Sequence, residues 1–313
     1  MADLSLYFAE VATQVGVMFL LIAVGFVLTH LKVITGKGAK QITDIVLYAV
    51  TPAVIIKAFV SVEFSPENVG GMLIAVASAI GVHLIGLGIG RLVFNRLGKH
   101  KRNIYISCVV FANGGYMSLP LAQAILGDYG AFLVSMFVTV FNVFIWTLGV
   151  KLFEAEKTSV KKIFLNPNII AVIVGVVLFF CRVDISSVTL VYEPIVHLAN
   201  LNAPLAMIVI GYYLRTAERK LTRNDAPMFV SMGLRIIVMP LIMMTLLRLC
   251  GVTGDVLTAC VIPASAPIAA MLMMFATKFN GDTATASKAV AISHICSIVS
   301  MPIMLTLCRF IGQ

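Results

Sequence analysis

The chain has 313 residues, of which 60% are hydrophobic and only 12% charged, and its mean hydropathy is +1.02. Soluble domains are roughly half apolar and a quarter charged, so this composition excludes a soluble globule and calls for a bilayer. The formal net charge of +9 does not point to nucleic acid, because the basic residues gather in short connectors between apolar runs, the pattern of membrane topology.

Ten apolar runs follow one another, at about 7–31, 39–62, 69–95, 103–126, 129–153, 168–183, 187–214, 226–251, 255–278 and 286–310. Most approach the roughly 20 residues that a spanning helix needs, and run 6 is the shortest. Run 1 follows MADLSLYFAE, which has no basic segment, and no small-residue cleavage site comes after it; it reads as a retained helix and not a secretory signal. Run 2 carries Thr51-Pro52-Ala53 and, toward its outer end, Lys57, whose stem can snorkel to the interface. Run 3 holds His83 and a Gly86-x-x-x-Gly90 spacing that reads as close helix packing, not as a phosphate loop. Run 4 contains FANGGYMSLPL, and run 5 contains Asn142. The longest connector, Glu154 to Pro167, is too short for a soluble domain. It leads into run 6 through Leu165-Asn166-Pro167-Asn168. Run 7 carries His197, Asn200, Asn202 and Pro204, run 8 Arg235, run 9 VIPASAP, and run 10 His294.

The connectors after runs 1, 3, 5, 7 and 9 hold 18 of the 23 Lys and Arg residues. Basic connectors stay in the cytoplasm, so both termini are expected outside it. Five runs per half make the second half enter from the opposite side, the signature of an inverted repeat. The expected halves are 1–153 and 168–313, joined by a cytoplasmic linker at 154–167. CVVFANGGYMSLPLAQAILGD from 108 lies over CVIPASAPIAAMLMMFATKFNGD from 260, which sets Cys108 on Cys260 and Asn113 on Ser265. Pro52 falls on Pro204, and His83 falls opposite Arg235.

Runs 4 and 9 each carry helix breakers near their middles. Pro120 removes a donor and crowds the turn before it, and Gly114-Gly115 weakens helix there. Ser118 is a candidate cap for a restarting half-helix with Pro120 in its first turn; in run 9, Ser265 between Pro263 and Pro267 is its counterpart. Non-helical backbone survives in hydrocarbon only where protein buries it or a cavity borders it. Two half-helices restarting in opposite directions bring their positive N-terminal ends together, an anion site with no lysine or arginine. Asn113 adds an amide donor for a carboxylate, and Gly114 and Gly115 let a ligand come close. Arg235 lies about nine residues into run 8; its readings are a charge partner or gate for the substrate, shared with His83, or structural bonding to helix carbonyls. His83, His197 and His294 are candidate proton relays.

These residues, FANGGYMSLPL, VIPASAP with MMFATKFNGD, Thr51-Pro52-Ala53 and Leu165-Asn166-Pro167-Asn168, resemble the auxin efflux carrier family. That family comprises bacterial permeases related to plant auxin carriers, within the wider group of bile acid sodium symporters. The resemblance spans all ten runs. It implies an all-α polytopic fold of ten helices in a 5+5 inverted repeat, with helices 4 and 9 broken and crossing at the midplane. It further implies a scaffold of helices 1, 2, 6 and 7, a transport domain of helices 3–5 and 8–10, dimerisation through the scaffold, and a substrate carboxylate bound at Asn113. The cargo it implies is a small organic anion such as malate, malonate or auxin. Run 9 has no acidic residue or glutamine to match a sodium ligand, which argues against sodium coupling, although the coupling ion stays open between proton and sodium and a bile-acid-type sodium symporter is an alternative reading.

The expected substrate site is therefore Asn113, Gly114, Gly115, Ser118, Pro120, Pro263, Ser265 and Pro267. No cofactor or metal is expected: the six cysteines show no CxxC spacing and read as small packing residues. An intramembrane enzyme is argued against, because the runs contain no aspartate pair, HExxH or GxSG. A channel or receptor built on the same fold remains the competing reading.

Overall fold

The computed structural model describes residues 2–153, 165–217, 221, 225–278 and 282–312. Most of the expected linker, at 154–164, lies outside the described residues, as do Arg219, Lys220 and Arg223. The described residues are helical, with no strand and one isolated β-bridge. In an apolar chain each segment must satisfy its own backbone groups, and the helix does so locally.

In chain order the helices are α1 (Ala2–His30), α2 (Gly36–Ser61), α3 (Pro66–Val93), α4 (Lys99–Val110), α5 (Gly114–Leu152), α6 (Pro167–Phe180), α7 (Thr189–Asn200), α8 (Asn202–Thr216), α9 (Ala226–Leu249), α10 (Gly254–Ser265), α11 (Met271–Lys278) and α12 (Thr283–Gly312). Among the described residues, seven stretches are long and apolar enough to cross a membrane: α1 from Leu4, α2, α3, α5, α7 with α8, α9 and α12. α6 and α10 are apolar but shorter. The protein is a multi-pass membrane protein. Large apolar side chains such as Leu20 and Leu73 point outward from these helices, where acyl chains rather than water would meet them.

Runs 4 and 5 meet at 127–128, the gap that the sequence leaves between them, with no longer connector. The second part of run 4 and all of run 5 form one 39-residue stretch, α5, interrupted only at Gly127 (φ 62, ψ −151). That backbone conformation suits only glycine, so Gly127 turns the chain where a longer connector would otherwise be needed.

Three helices widen into a single π turn before a proline: Val46–Val50 before Pro52, Gly114–Ser118 before Pro120, and Leu234–Val238 before Pro240. Proline has no N–H to give and its ring crowds the carbonyl four residues back, and a looser turn relieves both problems. A fourth π turn, Ile145–Gly149, has no proline after it.

Helix packing separates two groups. α1 lies against α8, and α2 against α6 and α7. The α1–α8 contact is backbone on backbone: a Cβ on Gly211 would come within 2.2 Å of the Ile22 carbonyl oxygen, and one on Gly25 within 2.3 Å of that of Ile208. Small residues permit such approach in membrane helices. In the other group α3 packs on α4 and α5, α10 on α5, α9 and α12, and α11 on α12. Contacts of α1 with α12 and of α2 with α5 join the groups. Lys57 reinforces the second joint: instead of snorkelling freely, its Nζ lies 2.5 Å from Asp128 Oδ1.

Candidate functional site

The site begins with two interruptions. α4 stops at Val110, and Phe111 to Asn113 run extended or bent before α5 restarts at Gly114. α10 stops at Ser265, and 266–270 separate it from α11. These two strips pair with each other as an antiparallel bridge at Ala112 and Ile268. The Asn113 N–H donates to Pro267 O at 2.8 Å, and the Ala269 N–H donates to Phe111 O at 2.9 Å. Each break thus satisfies peptide groups that the other sets free, which is how non-helical backbone is tolerated at depth.

The bridge revises the alignment of the breaks. Asn113 and Ala269 hold equivalent places on it, so the counterpart of Asn113 is Ala269 and not Ser265. The reason is length: three residues separate α4 from α5, whereas five separate α10 from α11.

The expected caps are also corrected. α5 restarts at Gly114 with Asn113 at its head, so Ser118 already has helical angles and its Oγ donates to Asn113 O at 3.4 Å. Ser265 ends α10 rather than starting α11, and its Oγ donates back to Ile262 O at 2.9 Å. Glycine pairs do not break a helix at the pair itself when the residue before them takes the bend, as Asn113 does here (φ −79, ψ 64).

Beside the bridge lies a small, partly open cavity of about 50 Å³, well below the roughly 300–1,000 Å³ of drug-sized ligand sites. Asn113, Gly114, Gly115 and Tyr116 line one side, Ala269 and Met271 another, and Val138, Phe141 and Asn142 of α5 a third. Leu47 and Thr51 of α2 and Asn168 of α6 close it from the other group of helices. Both restarting helices therefore turn their N-terminal ends toward one space. In α5 the N–H groups of Met117 and Ser118 go to Asn113 O and that of Gly114 to Ala112 O, which leaves those of Gly115 and Tyr116 at the cavity wall. Among the described residues, no charged side chain lines the cavity.

Of the expected site residues, the structure brings Asn113, Gly114 and Gly115 to the cavity. Ser118, Pro120, Pro263, Ser265 and Pro267 are not among its lining residues; they shape the backbone behind it. His83 and Arg235 also stand away from the wall. His83 is fully buried, with Nδ1 on Ala79 O at 2.7 Å and four phenylalanine rings, Phe111, Phe137, Phe141 and Phe144, around it.

Arg235 is fully buried and spends its guanidinium on carbonyls at the ends of both interrupted helices. Nη1 donates to Val109 O (3.1 Å) and Val110 O (3.5 Å), and Nη2 to Pro263 O (3.2 Å) and Ala264 O (2.5 Å). The C-terminal ends of α4 and α10 carry partial negative charge, and one cation meets both.

Further polar residues join the site. Asn166 caps α6 by accepting from the Asn168 N–H at 2.9 Å, and its Nδ2 donates to Asn142 Oδ1 at 3.1 Å. The Asn168 Oδ1 is buried without a hydrogen-bond partner, an acceptor beside the cavity. His294 of α12 reaches Asn113, with Nε2 and Nδ2 2.9 Å apart. Tyr116 escaped the sequence reading because it looks like any aromatic in an apolar run; its adjacency to Gly114-Gly115 was the available signal.

A family model described as a membrane transport protein matches residues 10–305. The chain belongs to this family, the auxin efflux carriers. The match runs through both interruptions and the bridge between them. The family is one of membrane transporters and not of enzymes. No individually curated protein matches the chain.

Proposed function

We propose that this auxin efflux carrier family member is a secondary carrier of small organic anions, binding a carboxylate in the cavity beside the Ala112–Ile268 bridge. The observation that carries this reading is the bridge itself: it turns two helix N-termini toward one uncharged cavity. Each N-terminus contributes about half a positive charge, enough to favour an anion without the desolvation cost of a lysine. Thr51, Asn142, Asn168 and Tyr116 provide polar groups for the rest of the ligand.

Alternating access follows from the two groups of helices. The cavity lies where they meet, with α2 and α6 on one side and the bridge on the other. In this reading α1, α2, α6, α7 and α8 are the scaffold, and α3–α5 with α9–α12 carry the bridge as a transport domain. The ten runs act as ten crossings in a 5+5 inverted repeat, 1–153 and 168–313, with both termini outside the cytoplasm, and two copies associate through the scaffold. Arg235 already occupies the helix-end carbonyls that would suit a cation, which favours a carrier with no sodium at that place.

The test is uptake of labelled mono- and dicarboxylates into proteoliposomes holding the purified protein. Asn113→Ala is expected to cut uptake at least tenfold. Absence of uptake for every carboxylate, or an Asn113→Ala variant as active as the parent, refutes the proposal, and single-channel currents would replace it with a channel.

A further inference from the structure

We infer that His294 is a proton-binding positioning residue that sets which face of the Asn113 amide the substrate meets, so that anion and proton bind together. The inference rests on the carboxylate reading above and adds its coupling ion.

The imidazole's two nitrogens meet different partners. His294 Nδ1 lies 2.7 Å from Val290 O. A carbonyl only accepts, so Nδ1 carries a proton in every state, and in the neutral ring Nε2 is a bare acceptor. The group 2.9 Å from that acceptor is Asn113 Nδ2, a donor, so the pair is matched. With one N–H committed to the ring, the amide leaves its Oδ1 and a single N–H for the cavity that Asn113 lines. A carboxylate oxygen arriving there meets an acceptor.

A second proton reverses this polarity. With Nε2–H as donor, two donors face each other, and the amide must turn about its terminal torsion. Oδ1 then accepts from the ring, and the whole NH2 group faces the cavity, next to the N–H groups of Gly115 and Tyr116. The amide turn exchanges two atoms of similar size, so a fully buried ring needs no other movement. The protonated ring also places a positive charge one amide away from the anion.

The surroundings leave His294 to answer to this proton alone. Among the described residues no charged side chain acts on its ring. Of the charged groups on elements packed against α12, Arg235 is held on four carbonyls, Lys288 of α12 itself lies 2.6 Å from Asp225, and Arg215 bonds His30. Glu10, Asp255 and Arg309 gather with Tyr7 in a separate cleft. Lys99, Lys101 and Arg102 stand in the first turn of α4 and Arg248 in the last turn of α9. Tyr116 lines the cavity, and Cys108 and Cys260 lie fully or almost fully buried in α4 and α10.

Coupling is reciprocal. If the protonated ring favours the anion, the anion favours the proton, and binding takes up a proton from solution. Above the titration of His294, carboxylate affinity falls up to about tenfold for each pH unit, the slope of one linked proton.

The experiment measures proton uptake with a pH dye when malonate or indole-3-acetate is added to purified protein in weak buffer, alongside affinity by thermal shift from pH 5 to 8. The parent is expected to take up about one proton per anion. His294→Gln, whose amide offers either polarity to Asn113, is expected to bind with pH-independent affinity and no proton uptake. His83→Gln serves as the control and is expected to keep the uptake. Binding by the parent without proton uptake overturns the inference, as does uptake that survives in His294→Gln or disappears in His83→Gln instead. If no carboxylate binds at all, this inference and the carrier reading fall together, whereas binding without a proton removes this one alone.

Discussion

Arg235→Ala tests whether the two interrupted helices are held by one cation. Three of the guanidinium's contacts are 3.2 Å or shorter, to Val109 O, Pro263 O and Ala264 O. Hydrogen bonds to charged groups contribute about 1.5–3 kcal/mol each, which puts the gross loss at about 4.5–9 kcal/mol. Not having to bury the guanidinium offsets part of that, and a net loss of about 3–5 kcal/mol remains, left by the unsatisfied carbonyls at the ends of α4 and α10. At about 2 °C per kcal/mol for a large chain, the melting temperature in detergent should fall by about 6–10 °C. Arg235→Lys should fall between the two, because an ammonium reaches some of the carbonyls but cannot fork across both helix ends. The assay is a thermal melt read by size exclusion, with malonate binding measured on the surviving fraction. An Arg235→Ala protein that melts within about 2 °C of the parent refutes the reasoning. If it also loses only its response to dicarboxylates, Arg235 is a substrate charge partner instead.

Other perturbations separate backbone from side-chain effects. Gly127→Ala forces a Cβ into a conformation that glycine alone adopts (φ 62, ψ −151) and should cost about 1–3 kcal/mol, read as a lower melting temperature with unchanged affinity. Gly211→Val drives side-chain atoms into the α1 backbone, 2.2 Å from Ile22 O, and should lower the yield of folded protein sharply; normal yield would mean that α1 and α8 do not touch. Lys57→Ala and Asp128→Ala should each be mild and non-additive, with a coupling of about 1 kcal/mol or less in a double-mutant cycle, since the pair is partly exposed (15% and 30%). Lys288→Met removes the ammonium that lies 2.6 Å from the Asp225 carboxylate, which is 5% exposed, and should be improved by adding Asp225→Asn; equal stability of the single and double variants would contradict the pairing.

Much of the helical layout was legible, because hydropathy acts over about 20 residues and tolerates error at each one. The interruptions were legible too: proline and paired glycine act through local sterics, and both sequences that looked broken are broken. The prolines also account for three of the four π turns, though the widened turns themselves were not foreseen. The turn at Gly127 falls in the two-residue gap, 127–128, between runs 4 and 5, so its place was legible, whereas its backbone conformation (φ 62, ψ −151) was not.

The side-chain pairings were not legible, since they depend on distances across the fold. Asn113 and His294 are 181 positions apart, and Arg235 meets carbonyls 28 and 126 positions away. Sequence could name Arg235 and offer two roles, but only packing shows which atoms surround it. The same holds for Lys57, whose partner Asp128 lies in a Gly-Asp that read as a repeat marker and nothing more.

The register of the two breaks carries the sharpest consequence. Sequence similarity put a hydroxyl, Ser265, opposite Asn113, which would make the site polar from both halves. The bridge puts Ala269 there instead, so the second half contributes its backbone and helix end but no side-chain donor at that place. In the carrier reading proposed above, Asn113 is the side-chain amide at the bridge that meets the ligand's polar head. An Ala269→Asn substitution, 2% exposed at present, would restore polar symmetry beside an amide already tied to His294. The expected result is tighter carboxylate binding with weaker dependence on pH, because the second amide offers its N–H groups whatever the state of the ring.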